Sequence, residues 1–507
     1  MANQLFQTKS HEALLEELAG ENRLHRVLGP VQLSSLGVGA IIGTGIFVLT
    51  GVAAHDLAGP ALMLSFVASG LTCIFAALCY AEFASMVPVA GSAYTYAYAT
   101  LGELFAWIIG WDLILEYAVA SATVAHGWSH YFQDFLSFFH VGLPHVFTNA
   151  PFDWDPAAGR VILTGTWFDL PAIVIAALVT VVLVKGIKES ASLNAAIVML
   201  KLAIVFFVIG VGAFYVHTGN WHPFAPFGLS GLSFFGHTVL GQAGPGGKPQ
   251  GMLAGAALVF FAYIGFDSIS THAEEAKNPS RDVPIGIMTS LVLCTILYIA
   301  VAGVLTGMVP YSQINIDAPV SDAFRQVGLP WAQLLIAVGA VAGITSVLLV
   351  MMLSQPRIFL AMARDGLLPP KFFAAVHERF RTPWKSTIMT GVFVATMGAF
   401  LPLRFLAELV NIGTLLAFLI VCAAVMIMRR THPEVHRPFR APLGPVVPVL
   451  GILSCLLLMF SLPVENWVRL VVWLFIGMVI YFTYGVRHSR LRIQAAEKSA
   501  ASTVGKG

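Results

Sequence analysis

Apolar runs of about twenty residues recur along this chain, and a helix needs a run of about that length to cross the hydrocarbon of a bilayer. Lipid offers no water to backbone N–H and C=O groups, so such runs fold as helices that satisfy their own backbone. About twelve are read, near 33–57, 60–86, 100–125, 168–185, 193–217, 252–272, 284–309, 331–361, 385–402, 405–428, 446–462 and 467–486. They are numbered span 1 to span 12 below. Composition agrees: 57% of the residues are hydrophobic and 11% charged, against about 25% charged in soluble domains. The expected fold class is an all-α polytopic membrane protein. Span 4 is the short one, bounded by Pro171 and Gly186.

A lysine stands inside span 5. Lys201 interrupts the run NAAIVMLKLAIVFFVIGVGAF, residues 194–214. A cation at membrane depth costs roughly 2.5–3.5 kcal/mol on insertion scales. Either a partner offsets that cost or the group releases its proton, and a desolvated lysine is then suited to carry one. The competing explanation is snorkelling, since Lys201 lies roughly 10 Å from the start of the run at 1.5 Å per residue.

Basic residues mark the side of the membrane that stays inside. With the N-terminus inside, 22 of the 28 lysines and arginines fall on inside segments, five on outside ones, and Lys201 within a span. That asymmetry sets the orientation and supports an even number of spans. The loop between Met86 and Thr100 has no basic residue, so its side follows from alternation alone. No cleavable signal peptide is read before span 1. Residues 1–32 read as a polar inside segment, partly helical over Glu12 to Arg26, and residues 488–507 as an inside tail. The net charge of +2 selects no partner. Cys73, Cys79, Cys294, Cys422 and Cys455 all lie in apolar runs, which suits buried thiols rather than disulfides or a metal site.

Two spans carry signs of interruption. Span 1 contains GVGAIIGTGIF, with Gly37, Gly39, Gly43 and Gly45, and span 6 contains FFAYIGFDS over 260–268. Each glycine costs a helix about 1 kcal/mol relative to alanine. Unwound backbone is tolerated in a membrane only where protein buries it or it lines a cavity. The alternative is a small-residue packing face. Interruptions at matching places in two halves are the mark of an inverted-repeat transporter, with spans 1–5 and 6–10 as the repeats. A break at the midplane has a chemical use. Free N–H groups at the start of a half-helix attract a carboxylate, and free carbonyls at the end of the preceding half attract an ammonium. Together they suit a zwitterionic amino acid. Thr44 adds a hydroxyl donor, unless it bonds back to its own helix.

Five stretches carry a resemblance: GAIIGTGIF at 39–47, AEFASMVPVAGSAYTYAY at 81–98, AYIGFDSISTHAEEAKNPSRDVPIGI at 262–287, PRIFLAMARDGLLP at 356–369 and HRPFRAPLGPVVPVLGI at 436–452. In order and spacing they resemble bacterial members of the amino acid–polyamine–organocation superfamily, in the branch of the cationic amino acid transporters. The resemblance covers roughly residues 25–487. It implies a LeuT-like 5+5 inverted repeat, alternating access and an amino acid substrate. The repeats would be 33–217 and 252–428, separated by an extracellular loop at 218–251, with a linker and two further spans in 429–487. In such relatives the substrate carboxylate meets the break that here is Gly43, Thr44 and Gly45. The ammonium meets carbonyls at the positions of Ile41, Phe261 and Ile264, and Phe261 is placed as a gate. A span 5 lysine like Lys201 takes the place of a sodium ion in proton-coupled relatives, with Thr345 and Ser346 as neighbours. The resemblance thus makes the proton the coupling ion, with no cofactor and no metal.

Other intramembrane groups have competing explanations. Asp267 follows the span 6 break and either caps the second half-helix or takes part in coupling. Asp112 and Glu116 lie four apart on one face of span 3, so at least one is protonated, partnered or wet; Glu116 is the better coupling or selectivity candidate. Glu82 reads as packed against a loop. His126 and His130 have metal-like helical spacing but no third ligand, and read as interfacial. Glu274, Glu275, Lys277 and Arg281 read as a solvated inner loop. Pro356 marks either a kink in span 8 or its final turn. No phosphate loop, catalytic triad or nucleic-acid surface is present, so an enzyme is not expected. The function expected is secondary amino acid transport across a bacterial plasma membrane by proton symport, with sodium symport or exchange as alternatives. A non-transporting sensor is the reading of a different class. Whether substrates are cationic or neutral stays open.

Overall fold

The computed structural model describes residues 7–9, 28–86, 92–155, 160–186, 191–234, 237–244 and 247–493. The expected helix over Glu12 to Arg26 and the distal part of the tail lie outside them. Helix occupies each of the apolar runs read from the sequence. Among the described residues, eight helical segments are long and apolar enough to cross a membrane: Gly45–Met86, Glu103–Phe138, Ala196–Tyr215, Met252–Ser270, Pro279–Met308, Pro330–Arg364, Leu403–Thr431 and Val464–Ile493. Pro30–Ile41, Leu170–Lys185 and Val446–Met459 are shorter apolar helices, and Trp384–Phe400 is a further one. Span 4 is short for a local reason. Asp169 caps it, its side chain accepting from Ala172 N–H at 3.0 Å, and Gly186 ends it in the left-handed region at φ 84°.

The span 3 helix, Glu103–Phe138, is the packing centre, lying against the helices of spans 8, 9 and 10. The span 2 helix, Leu62–Met86, packs on span 7, Pro279–Met308. Apolar side chains remain exposed on the outer faces of span 4 (Val174, Leu178, Val181) and span 12 (Val468, Val471, Val472, Phe475). Such stripes are a liability in water and are what a lipid-facing surface needs. Short antiparallel hairpins sit in the loops, as Phe152–Asp155 with Arg160–Leu163 and Leu232–Phe234 with His237–Leu240. All five cysteines are buried and free.

Two expectations are corrected. The stretch between Met86 and Thr100 is not simply a loop, because Ser92–Thr100 is helical and packs on span 3. Pro356 does not mark the end of span 8, which runs on to Arg364, about two turns further. Glu82 has the packing role read for it. Its carboxylate takes Arg429 at 2.9 and 2.5 Å and the Ala441 N–H at 2.8 Å, joining the end of span 2 to the end of span 10 and its following loop.

Candidate functional site

The first half of span 1, Pro30–Ile41, ends where Ile42 turns extended at φ −73°, ψ 103°. Helix restarts with a π turn over Gly45–Leu49, and Phe47 N–H reaches back to Gly43 O at 3.2 Å. The two explanations of the glycines prove compatible. Gly43 lies in the break, where a Cβ would stand 2.8 Å from Val347 Cγ2. Gly37 faces Ile269 and Ser290, Gly39 faces Val198, and Gly45 faces the backbone of Ala262. Small residues here both interrupt the helix and allow close approach.

Span 6 breaks in a different manner. Met252–Val259 tightens into a 3-10 turn at Phe260–Tyr263. Ile264 is extended at φ −60°, ψ 135°, and Gly265 adopts φ 115°, which suits glycine alone. Helix resumes at Ser268–Thr271. A Cβ on Gly265 would lie 3.0 Å from Ala40 O, so the two breaks press main chain against main chain. A tyrosine of span 7 joins them. Tyr298 Oη lies 2.9 Å from Ile41 O and 3.0 Å from Ala262 O. From span 10, Asn411 Nδ2 donates to Ala257 O and Leu258 O at 2.8 and 2.9 Å.

The residues read as substrate-binding therefore come together. Ile41, Thr44, Phe261 and Ile264 are each at most 5% exposed. Gly43 and Gly45 are buried with them. Ile41 O already accepts from Tyr298, and Phe261 O accepts from Ile264 N–H at 3.2 Å. A carbonyl has two lone pairs, so each retains one. The Thr44 hydroxyl does not bond back to its helix. It is buried without a partner and faces Gly127 of span 3.

Lys201 does not snorkel. It is fully buried, and Nζ donates to Gly39 O in the first half of span 1 at 2.5 Å. Its stem lies along Gly343 of span 8, where a Cβ would be 3.2 Å from Lys201 Cγ. Among the described residues no carboxylate pairs with it. Thr345 and Ser346 are close in sequence to that contact but spend their hydroxyls elsewhere. Thr345 Oγ1 accepts from Trp128 Nε1 at 2.9 Å and donates to Val341 O, while Ser346 donates to Gly343 O.

On another side of the span 6 break lie three buried carboxyl groups. Asp267 does not cap the second half-helix with its side chain; Oδ2 instead accepts from Tyr117 Oη at 2.6 Å. Glu116 faces Asp267, Asp112 and the Thr414 hydroxyl, and Asp112 packs against Gly413 of span 10. The oxygens of Asp112 and Glu116 are buried without a hydrogen bond of good geometry. Asp267 is thus the one of the three with a clear donor, which matters because a buried charge needs one. The histidines are packed inside the bundle at the far end of span 3. His126 is 1% exposed, with Nδ1 2.9 Å from Gly398 O and 3.3 Å from Asp169. No metal cluster occurs among the described residues.

The pattern missed Tyr298, Tyr117 and Asn411. Each reaches a partner more than a hundred residues away in the chain, and Tyr298 reaches Ala262, 36 residues away, as well. A polar side chain inside an apolar run was the available signal for all three.

This is a multi-pass helical membrane protein built around two broken helices that meet at buried glycines. The chain belongs to the amino acid permease family, whose model matches residues 28–486. It is 45% identical to the methylthioribose transporter of Bacillus subtilis (strain 168) over 96% of this chain and 99% of that protein. It is 48% identical to the branched-chain amino acid permease BcaP of the same organism, over 97% of this chain and all of that one. A vacuolar cationic amino acid transporter 4 of Arabidopsis thaliana is 39% identical, over 82% of this chain and 65% of its own length.

Proposed function

We propose that the protein is a secondary active amino acid transporter that moves its substrate with a proton by alternating access. It sits in a bacterial plasma membrane with twelve spans, both termini inside, and spans 1–5 and 6–10 as inverted repeats. The observation that carries the reading is the contact of Lys201 Nζ with Gly39 O, two residues before the end of the first half of span 1.

Substrate binding follows from the breaks. The carboxylate sits at the start of the second half of span 1, on the N–H groups near Gly43, Thr44 and Gly45 and on the unpartnered Thr44 hydroxyl. The ammonium takes the remaining lone pairs on Ile41 O and Phe261 O, together with Ile264 O. Phe261 covers the pair. Val347 against Gly43 suits a neutral, apolar side chain, and the similarity to a branched-chain amino acid permease points the same way.

Coupling uses the lysine. A charged donor makes a hydrogen bond roughly twice as strong as a neutral one. Protonated Lys201 therefore holds the first half of span 1 firmly, and loss of the proton loosens it and lets that half-helix move. Water reaching the lysine from one side at a time loads and unloads the proton. Glu116 and Asp267 stand across the break as further proton-handling groups.

The test is uptake into proteoliposomes. L-leucine, L-arginine and methylthioribose are offered with an inward pH gradient, with a sodium gradient, and with neither. Concentrative uptake of L-leucine driven by the pH gradient is expected. Sodium-driven uptake indifferent to pH would replace the proton with sodium. Accumulation of methylthioribose without that of any amino acid would overturn the substrate class.

A further inference from the structure

A cavity of about 420 Å³ lies at the far end of span 3, and none of the residues of the two breaks is among those that line it. One face of that helix lines it with His130, Gln133 and Asp134; Asn149 comes from the following loop, and Asn315 and Asp317 from the segment before the helix Pro319–Gln326. Most of these polar groups are held in place. Gln133 donates to Ser129 and to Thr148 O. Asn315 Oδ1 accepts the N–H groups of Asp317 and Ala318. Asp134 accepts from Ser321 at 2.6 Å and from Gln333 at 2.8 Å. Two groups are not committed in this way. The His130 side chain is only 8% exposed, yet neither ring nitrogen makes a hydrogen bond. Its nearest partner is Asp317 at 3.4 Å, whose carboxylate is 58% exposed.

The lining is acidic. Two carboxylates line it, and no lysine or arginine does among the described residues. Asp134 is hydrogen-bonded by neutral donors, Ser321 and Gln333. A buried imidazole with unspent nitrogens, beside a carboxylate with room in front of it, is an acceptor set for an N⁺–H donor. The volume falls in the range of small-molecule sites, about 300–1,000 Å³.

We propose that this cavity is a second binding site, for a compact molecule carrying an ammonium group, with Asp317 and His130 as its contacts and Asp134 supplying further negative charge. Asp134 also ties the segment around Pro319–Gln326 to span 3 through Ser321. That same segment packs on the second half of span 1, where Gly51 meets Asn315 O and Pro319. An occupant therefore adds to the contacts that hold the segment down over the substrate site. The inference rests on the transport reading only in that the occupant is the arriving amino acid or a diamine.

The test uses purified protein in nanodiscs and two probes, 1,4-diaminobutane and L-leucine, with binding read by calorimetry. The diamine has no carboxylate and is a poor ligand for the broken helices. Diamine binding is expected to survive Gly43→Val and to weaken at least tenfold in Asp317→Asn, with His130→Gln as a second variant of the same direction. If L-leucine alone binds the Gly43→Val protein weakly and loses that binding in the double change with Asp317→Asn, the site is one for amino acids. Absence of saturable binding of both probes to folded Gly43→Val protein overturns the proposal, as does binding indifferent to Asp317→Asn and His130→Gln. Full-affinity L-leucine binding by Gly43→Val that Asp317→Asn does not alter would instead refute the substrate site between the breaks.

Discussion

Replacing Lys201 by methionine separates a structural lysine from a proton carrier. The side chains have similar length, so the packing of the stem along Gly343 is kept. Two effects on stability then oppose each other. The change removes one charge-assisted hydrogen bond to Gly39 O, a loss of about 1.5–3 kcal/mol. It also removes the cost of holding an ammonium at membrane depth, roughly 2.5–3.5 kcal/mol. The net is within about 1–2 kcal/mol of zero, so Lys201→Met should fold. Alanine is the poorer choice, because deleting buried methylenes costs about 2–5 kcal/mol where the site cannot collapse. The assay reconstitutes Lys201→Met, confirms substrate binding and applies an inward pH gradient. Accumulation should fall to the level of passive equilibration, while counterflow exchange of substrate persists. Accumulation at the wild-type level would refute the coupling role. Unfolding well beyond 2 kcal/mol of lost stability would refute the ledger instead.

Other outcomes follow from the same geometry. Gly43→Val should abolish high-affinity substrate binding, since a β-branched side chain meets Val347 and fills the place of the carboxylate; equilibrium binding to folded protein checks this. Amino acid amides and N-acetyl amino acids should compete at least tenfold more weakly than the parent, because each lacks one of the two groups the breaks recognise; a decarboxylated amine that competes equally would remove the carboxylate contact. Glu82→Gln should cost about 3–5 kcal/mol by leaving the guanidinium of Arg429 short of its partner. The double change with Arg429→Gln should recover part of the loss, measured as the thermal midpoint in nanodiscs, and an unchanged midpoint in the single variant would show the pair to be well hydrated.

How much was legible in the sequence depended on the kind of force involved. The bilayer imposes helix on any long apolar run, so the helices were readable from composition alone. The breaks were readable because glycine is expensive in a helix and clusters where backbone must bend or approach closely. Lys201 stood out for its cost. Pairings across the bundle left no such trace. Nothing local to Tyr298 says that its hydroxyl reaches two carbonyls, nor does anything near Asp267 say that Tyr117 rather than a backbone N–H will take its side chain. The surroundings of the histidines were hidden for a related reason. Position along a helix gives depth, while the contacts of His126 with Asp169 of span 4 and Gly398 of span 9 come from packing. Pro356 was ambiguous because a proline inside a membrane helix is tolerated where neighbours re-satisfy the freed carbonyl.

The breaks touch through their main chains, Gly265 on Ala40 and Gly45 on Ala262. A joint made of backbone carries no information about the cargo. In the proposed substrate site, the side chains that would shape the substrate's neighbourhood, such as Val347 and Phe261, stand beside the joint without forming it. Under the proposed mechanism the machine would be modular at the scale of single residues. Cargo preference can drift by exchanging those side chains while the hinge surfaces stay as they are. The converse is a vulnerability: one added methyl group at Gly45 or Gly265 would strike every cargo equally, since it would wedge the moving parts themselves.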